Sequence, residues 1–151
     1  MWAGILISDD YSVYRSWPEE QRQACLVHLL RPAKKVSEDP VAEIARGGHS
    51  LYKELCRLTK TDKKMLTEGE WRALQMRLKG LINKYMAQKD VLGTFASRLN
   101  NDWTSLFTFL RIEEVEGTNN YGETCLRAAV VRRKTAYGST QHLGCAGQNV
   151  F

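Results

Sequence analysis

The sequence contains no long apolar run, no CxxC cysteine pair, no internal repeat and no low-complexity tract. A helix that crosses a bilayer needs about 18 or more consecutive apolar residues, so no membrane span is expected. The apolar opening "MWAGILISDD" has neither a basic region before it nor a small-residue cleavage site, so we do not interpret it as a signal peptide.

The four cysteines, at positions 25, 56, 125 and 145, are scattered along the chain. This spacing indicates neither a disulfide framework nor a four-cysteine zinc site, and reduced cytoplasmic thiols are expected. Cys25 and His28 have the spacing of a metal-binding pair, but no second pair of standard spacing accompanies them. We therefore expect a packed cysteine and a hydrogen-bonded histidine.

What the sequence does contain is typical of a globular domain with a basic surface. Apolar residues make up 43% and charged residues 26% of 151 positions, enough for one domain with a sizeable core. The formal net charge is +5, which permits binding to nucleic acid without requiring it. Between Lys60 and Lys89, eight basic residues accompany three acidic ones. This segment is either a solvated helix surface or a surface that faces DNA.

Short apolar runs and periodic stripes predict one strand followed by helices. "WAGILIS" is typical of a buried strand, whereas "RQACLVHLLR" fits either a strand that leads into a helix or a helix throughout. Pro32 and Pro40 are expected to enclose a polar linker. Helical turns are predicted on both sides of Gly47 and Gly48.

Two further segments have apolar residues at helical spacing. In "TEGEWRALQMRLKGLINKYMAQK", Thr67 and Glu70 form a capping-box pattern before the stripe. The stripe comprises Trp71, Leu74, Leu78, Leu81, Ile82, Tyr85 and Met86. In "GTFASRLNNDWTSLFTFL", the same spacing predicts one face made of Phe95, Leu99, Trp103, Leu106, Phe107 and Leu110.

Two acidic residues are candidates for chemistry, and each also has an ordinary structural interpretation. Asp9 follows the predicted strand, where α/β folds tend to bind ligands, but "SDD" is also common in turns. Glu123 lies three residues after Asn120, as in a capping box, and four residues before Arg127, as in a helical ion pair. Local pattern alone favours the cap for Glu123.

Three segments in this order resemble the transposases of the bacterial insertion sequence sixty-six family: "GILISDDYSVYR", "ACLVHLLR" and "GTFASRLNNDWTSLFTFLRIEEVEGTNNYGETCLRAAVVRRKTAYGS". The pattern resembled is a strand ending in Ser-Asp-Gly-Tyr, then Cys-x-x-His-x-x-Arg and a helical stretch, and finally Asn-Asn-x-Ala-Glu-x-x-x-Arg. The most specific part is "TNNYGETCLRAAVVRRKTAYGS".

The resemblance implies an α/β fold, namely an incomplete ribonuclease H-like fold with a large, mostly helical insertion. It implies a DDE site in which three carboxylates hold two divalent ions, Mg²⁺ or Mn²⁺, for attack on a phosphodiester. Asp9 matches the second aspartate and Glu123 matches the glutamate. Tyr11, His28, Asn119 and Asn120 match supporting positions of the motif. DNA phosphate contacts are expected from Arg127, Arg132, Arg133 and Lys134.

The resemblance also implies an organisation in three parts. Residues 1–36 would be a remnant of the core, 37–92 the helical insertion, and 93–151 the return to the core with the helix that bears Glu123. The first aspartate of the triad would precede Trp2 and is not in this sequence, so we expect a transposase fragment that is inactive alone.

The expected partners are transposon ends and target DNA, with self-association or assembly with a full-length transposase, in the bacterial cytoplasm near the nucleoid. The alternative is a non-catalytic DNA-binding or regulatory remnant that uses the basic segment between Lys60 and Lys89. A third interpretation, independent of the resemblance, is a small helical interaction module.

Overall fold

The computed structural model describes residues 4–9, 12–120, 124 and 127. Two parallel strands, β1 (Leu6–Ser8) and β2 (Arg22–Ala24), come first. Short 3₁₀ helices over Ser12–Ser16 and Glu19–Gln21 connect them. Four longer helices and one short one follow: α1 (Leu26–Ser37), α2 (Ala42–Thr59), α3 (Glu68–Tyr85), α4 (Val91–Asn101) and α5 (Thr108–Arg111). A 3₁₀ helix over Thr104–Leu106 lies between α4 and α5.

The strand predicted after the N-terminus is present as β1, and the undecided segment that follows is a strand leading into a helix. β2 pairs with β1 in parallel, with Leu6 opposite Arg22 and Ser8 opposite Ala24. The Cys25 amide then donates to the Ser8 carbonyl at 2.8 Å, which extends the pairing by one bond. Parallel pairing places the carboxyl ends of both strands, and therefore Asp9 and Cys25, at one edge.

The prediction of a linker between Pro32 and Pro40 is wrong for five of its seven residues, because α1 continues through Pro32 to Ser37. Proline lacks an amide hydrogen and normally weakens a helix interior. The inward side of α1 consists of the buried residues Leu26, Leu29, Ala33 and Val36. Their packing outweighs the local preference of proline against a helix interior. Only the residues around Glu38–Pro40 form the connection to α2.

The helix predicted around Gly47 and Gly48 is one continuous element, α2, and both glycines are buried in it. A Cβ atom on Gly47 would lie 2.3 Å from Leu92 Cδ2, and one on Gly48 would lie 2.6 Å from the Val36 carbonyl carbon. The glycines therefore allow α2 to approach α1 and α4 closely.

The best sequence-predicted helix is confirmed as α3, including its capping box. The Glu70 amide donates to Thr67 Oγ1 at 3.3 Å, and the Thr67 amide donates to Glu70 Oε2 at 3.0 Å. The bond from the Thr67 amide, together with one from the Thr67 hydroxyl at 2.7 Å, holds the pKa of the Glu70 carboxyl below its usual value. Leu74, Leu78 and Ile82 of the stripe are buried. Met86 lies just after the helix and is 42% exposed, so the prediction that it belongs to the apolar stripe is wrong.

The second stripe is buried largely as predicted, but by separate elements rather than one helix. α4 ends at Asn101, and the chain then turns through the 3₁₀ helix into α5. Asn and Asp side chains compete with backbone hydrogen bonds in helices, and three of them occur in succession from Asn100 to Asp102. Phe95, Leu99, Leu106 and Phe107 nevertheless all reach the core.

A single cluster of buried apolar side chains joins the helices to the sheet region. Its members are Leu26, Leu29, Ala33, Val36, Leu51, Leu55, Leu58, Leu74, Leu78, Ile82, Leu92, Phe95, Ala96, Leu99, Leu106, Phe107, Phe109 and Val115. Over the residues described, the structure is predominantly helical with a small parallel sheet, so the α/β expectation is confirmed only in this coarse sense.

The chain divides into two units, Met1–Thr118 and Asn119–Phe151. In the second unit, Asn120, Thr124 and Arg127 are helical, and the Thr124 hydroxyl donates to the Asn120 carbonyl at 2.8 Å. The boundaries predicted at residues 36 and 92 stay predictions. Within the described part of the chain, no helix is both long and apolar enough to cross a membrane.

Candidate functional site

The carboxyl edge of the two strands carries the residues that the sequence singled out. Asp9 follows β1 and is exposed, while Cys25 follows β2 and is only 2% exposed. His28 lies one turn into α1, and its Nδ1 atom is 3.2 Å from Cys25 Sγ. The expectation of a packed cysteine beside a hydrogen-bonded histidine is confirmed.

These three side chains line a small pocket at the strand edge. The other lining residues are Ser8, Tyr14, Arg22, Ala24, Leu29, Arg98, Asp102 and Ser105. Its free volume is about 20 Å³, enough for about one water molecule. The pocket is therefore too small for an organic cofactor, and ligands would reach Asp9 from its exposed side.

Sequence reasoning missed a second aspartate in the same pocket. Asp102 is 7% exposed, and its Oδ1 atom lies 3.5 Å from Arg22 Nη2. Arg22 also donates through Nη1 to the Tyr14 carbonyl at 3.3 Å. Arg22 and Asp102 are 80 positions apart, so no local pattern reveals the pair. Since its charge is already compensated, Asp102 is a structural group rather than a free ligand.

A buried polar network holds β2 in place on the side away from β1. Gln23 is fully buried; its Oε1 accepts from the Phe109 amide at 2.7 Å, and its Nε2 donates to the Ala24 carbonyl at 2.7 Å. The Thr108 hydroxyl donates to the Arg22 carbonyl at 2.7 Å. These side chains satisfy backbone groups that a further strand would otherwise pair, so the start of α5 stabilises the edge that presents Cys25.

The segment after α5 is fixed by two sets of bonds. Lys63 Nζ donates to the carbonyls of Phe109, Ile112 and Val115 at 3.0–3.3 Å, and also to that of Glu113. The Leu26 amide, at the start of α1, donates to the Gly117 carbonyl at 3.0 Å. The chain therefore leaves the first unit from an anchored position.

Several other basic side chains between Lys60 and Lys89 also contact side chains of the protein itself. Arg72 pairs with Glu68 at 2.9 Å, and Arg77 pairs with the buried Glu54 at 3.2 Å. Lys79 donates to Asn100 Oδ1 at 2.6 Å and lies 4.7 Å above the Trp103 ring. At least four of the eight basic residues between Lys60 and Lys89 thus make contacts within the protein, and for Arg72 and Arg77 these contacts are ion pairs.

The described residues provide only part of a site for the divalent metal that the family resemblance implied. Asp9 provides an exposed oxygen ligand of the kind that Mg²⁺ and Mn²⁺ prefer. The side chains of Cys25 and His28 contact each other, and the Asp102 carboxylate pairs with Arg22. No group of three or more His, Cys, Asp or Glu that could hold a metal occurs in the part of the chain that the structure describes. Asp9 therefore fits as one ligand, and a complete set needs carboxylates from elsewhere.

Most other predicted site residues belong to the second unit or lie outside the residues that the structure describes. Asn119 is half-buried, whereas Asn120 and Arg127 are exposed. Outside the described residues lie Tyr11, Glu123, Arg132, Arg133 and Lys134. Their roles, including the competition between cap and metal ligand at Glu123, stay predictions.

Comparison with known proteins gives one match. The family model described as "Transposase IS66 family" matches residues 1–146. No curated protein and no solved structure matches the chain. The match covers the strand edge, the four helices α1 to α4, which we call the helical layer, and the segment with Asn119, Asn120 and Glu123. This agrees with the resemblance found in the sequence. The chain belongs to the IS66 family of transposases.

Proposed function

We propose that this chain contributes part of a DDE-type site, in which metal-dependent DNA cleavage and strand transfer take place during transposition. The observation that carries the proposal is the position of Asp9 in a member of this family. Its carboxylate is exposed at the carboxyl end of β1, where α/β folds bind ligands. On this proposal the two strands belong to a ribonuclease H-like core, and the helices after α1 belong to an insertion.

The two aspartates of the pocket support this assignment because they differ in environment. Asp102 is buried and paired with an arginine, as a structural carboxylate should be. Asp9 lines the same pocket but is exposed, and it has no evident role in stabilising the fold. A carboxylate without a structural task at a strand edge is a reasonable candidate for a metal ligand.

Asp9 and Glu123 would be two of the ligands of Mg²⁺ or Mn²⁺. When bound, such ions activate the attacking hydroxyl and stabilise the leaving oxygen of a phosphodiester. The residues of this chain would have simpler tasks. Asp9 supplies negative charge at the strand edge, and Asn119 and Asn120 precede the helical segment that would present Glu123.

DNA is the proposed partner, which places the protein in the bacterial cytoplasm. Phosphate contacts are proposed for Arg127, which is exposed, and for Arg132, Arg133 and Lys134. Tyr11 and His28 are proposed to support the site; for His28 the support comes from its contact with Cys25 at the pocket floor.

Only two of the three carboxylates of a DDE site are identified in this sequence, so we propose that the chain alone binds DNA without cutting it. The second candidate function follows from this: a regulatory protein that assembles with a full-length transposase. The specific observation in its favour is the set of exposed basic side chains on α2, namely Arg46, Lys53, Arg57 and Lys60, which need no metal to bind DNA.

Divalent-ion binding measured by calorimetry with Mn²⁺, and plasmid nicking measured with Mg²⁺, test these proposals together. Asp9→Asn and Glu123→Gln should each weaken Mn²⁺ binding at least tenfold, whereas Glu20→Gln, at an exposed carboxylate outside the site, should not. Equal Mn²⁺ binding by all four proteins would contradict the DDE assignment. Nicking by the chain alone that Glu123→Gln abolishes would uphold the assignment and contradict the expected inactivity.

A further inference from the structure

The outer face of α2 carries a row of basic side chains. Arg46, His49, Lys53, Arg57 and Lys60 are all exposed. Their spacing of three, four, four and three residues matches the period of an α-helix, so they lie along one side. At 1.5 Å per residue, the row is about 21 Å long.

The opposite side of α2 is anchored in the core. Leu51, Leu55 and Leu58 are completely buried, and Gly47 and Gly48 allow close contact with the neighbouring helices. A ligand that binds the outer face would therefore meet a preformed row of charges on a firmly packed backbone, which lowers the entropic cost of binding.

The charge of this row is hardly compensated. Among the described residues, Arg57 is the member of the row with an ion pair, to Glu54, and that carboxylate is shared with Arg77. In contrast, Arg72 of α3 pairs with Glu68, and Lys79 contacts Asn100 and Trp103. Two of the four cations of α3, Arg72 and Arg77, thus have ion pairs, whereas on α2 the cations lie together in one row on the outer face.

We propose that the outer face of α2 binds the phosphate backbone of duplex DNA through Arg46, Lys53, Arg57 and Lys60. This inference rests on the proposed function in so far as DNA is the partner, but it assigns the contact to a helix far from the carboxylates in sequence. Lysine and arginine side chains in a straight row bind phosphates electrostatically and carry no sequence information of their own. The face therefore positions DNA and does not select its sequence.

Salt-dependent binding to a labelled duplex tests the proposal with variants of equal charge. The α2 variant is Arg46→Gln/Lys53→Gln/Lys60→Gln. The control is Arg72→Gln/Lys84→Gln/Lys89→Gln, which removes three exposed cations from α3 and the turn after it. Because each phosphate contact contributes about 0.9 to the slope of log K against log salt, the α2 variant should lose about 3 from the magnitude of this slope. The control should keep most of the wild-type slope.

The outcomes separate the two proposals. An unchanged slope in the α2 variant, or an equal loss in the control, would overturn the role of α2 and leave DNA as the partner. A wild-type chain that binds no duplex at low salt would overturn both. Circular dichroism melting should show that both variants fold, since all the changed positions are exposed.

Discussion

The strand edge and the helical layer of the first unit are held together by different interactions. At the strand edge, β2 is fixed by the buried Arg22–Asp102 pair and by the bonds of Gln23 and Thr108. In the helical layer, α2 and α3 meet through leucine and isoleucine side chains that are almost completely buried. The strand edge depends on a few specific polar contacts, whereas the layer depends on many interchangeable apolar ones.

The difference shows where substitutions should be most harmful. Loss of one partner from a buried polar pair leaves the other without compensation, while an apolar core spreads a loss over many neighbours. It also separates structural from functional groups at the strand edge, because Asp9 does not take part in the polar network that includes Asp102.

The largest effect is expected from Asp102→Ala. The substitution leaves the guanidinium of Arg22 buried without its carboxylate, which should cost about 3–5 kcal/mol of unfolding free energy. Urea denaturation monitored by circular dichroism measures this loss. The double variant Arg22→Met/Asp102→Leu, which removes both charges, should recover a large part of it. A single variant as stable as the wild type would show that the pair is not important for the strand edge.

In the helical layer, Gly48→Ala should be clearly destabilising although it adds only one methyl group. The new Cβ atom would lie 2.6 Å from the Val36 carbonyl carbon and 2.7 Å from the Ser37 amide, so α1 and α2 would have to separate. Overpacking of this kind costs about 1–3 kcal/mol. The matched control is Gly80→Ala, where the Cβ atom meets nothing within 4 Å and helix propensity should add up to about 1 kcal/mol. Thermal melting that ranks the two variants in the opposite order would contradict the packing of α1 on α2.

A smaller loss is expected at the start of α3. Thr67→Ala removes the cap of the Glu70 amide and should cost about 1 kcal/mol near neutral pH. Since the pKa of Glu70 is lowered in the folded protein, its contribution is present above the pKa of a free glutamate, about 4.3, and is lost as the pH falls through its folded value. The difference between variant and wild type should therefore shrink on acidification. A difference that grows towards acidic pH would contradict the capping box.

The smallest effect on stability is expected from Asp9→Asn. Its carboxylate is exposed, so the change in unfolding free energy should stay within about 0.5 kcal/mol. The same urea denaturation used for Asp102→Ala gives a direct comparison of the two aspartates of one pocket. A loss as large as that of Asp102→Ala would place Asp9 in the structural network and remove the argument for a ligand role.

The sequence predicted the elements that depend on local signals. The helical period and the capping box located α3, and the apolar run before Asp9 located β1. Predictions failed where distant residues override local preference. Pro32 continues α1 because the helix packs inward. The end of α4 at Asn101 has a different cause, because the local run from Asn100 to Asp102 interrupts the helix although the apolar spacing continues.

The candidate site was predictable to a similar degree. The position of Asp9 after β1 was predicted correctly, while its role as a ligand stays a prediction. A packed cysteine and a hydrogen-bonded histidine were also predicted, but not that Cys25 and His28 contact each other. Asp102 was missed because its partner is 80 residues away. The ion pair of Arg77 with Glu54 and the hydrogen bond of Lys79 to Asn100 are likewise visible only in the folded chain. Glu123 was identified by resemblance to the family and not by any local pattern.

The central claim, that Asp9 is a ligand of a divalent metal shared with Glu123, can be tested most directly with Fe²⁺ as a substitute for Mg²⁺. When hydrogen peroxide and ascorbate are added, Fe²⁺ bound at the site reduces the peroxide to hydroxide and a hydroxyl radical and becomes Fe³⁺, which ascorbate reduces again. The radicals cut the polypeptide nearby, and mass spectrometry locates the cuts. We expect cleavage close to Asp9 and close to Glu123, suppressed by excess Mg²⁺ and lost in Asp9→Asn but not in Glu20→Gln. Cleavage that spares both segments, or that persists unchanged in Asp9→Asn, would contradict the claim.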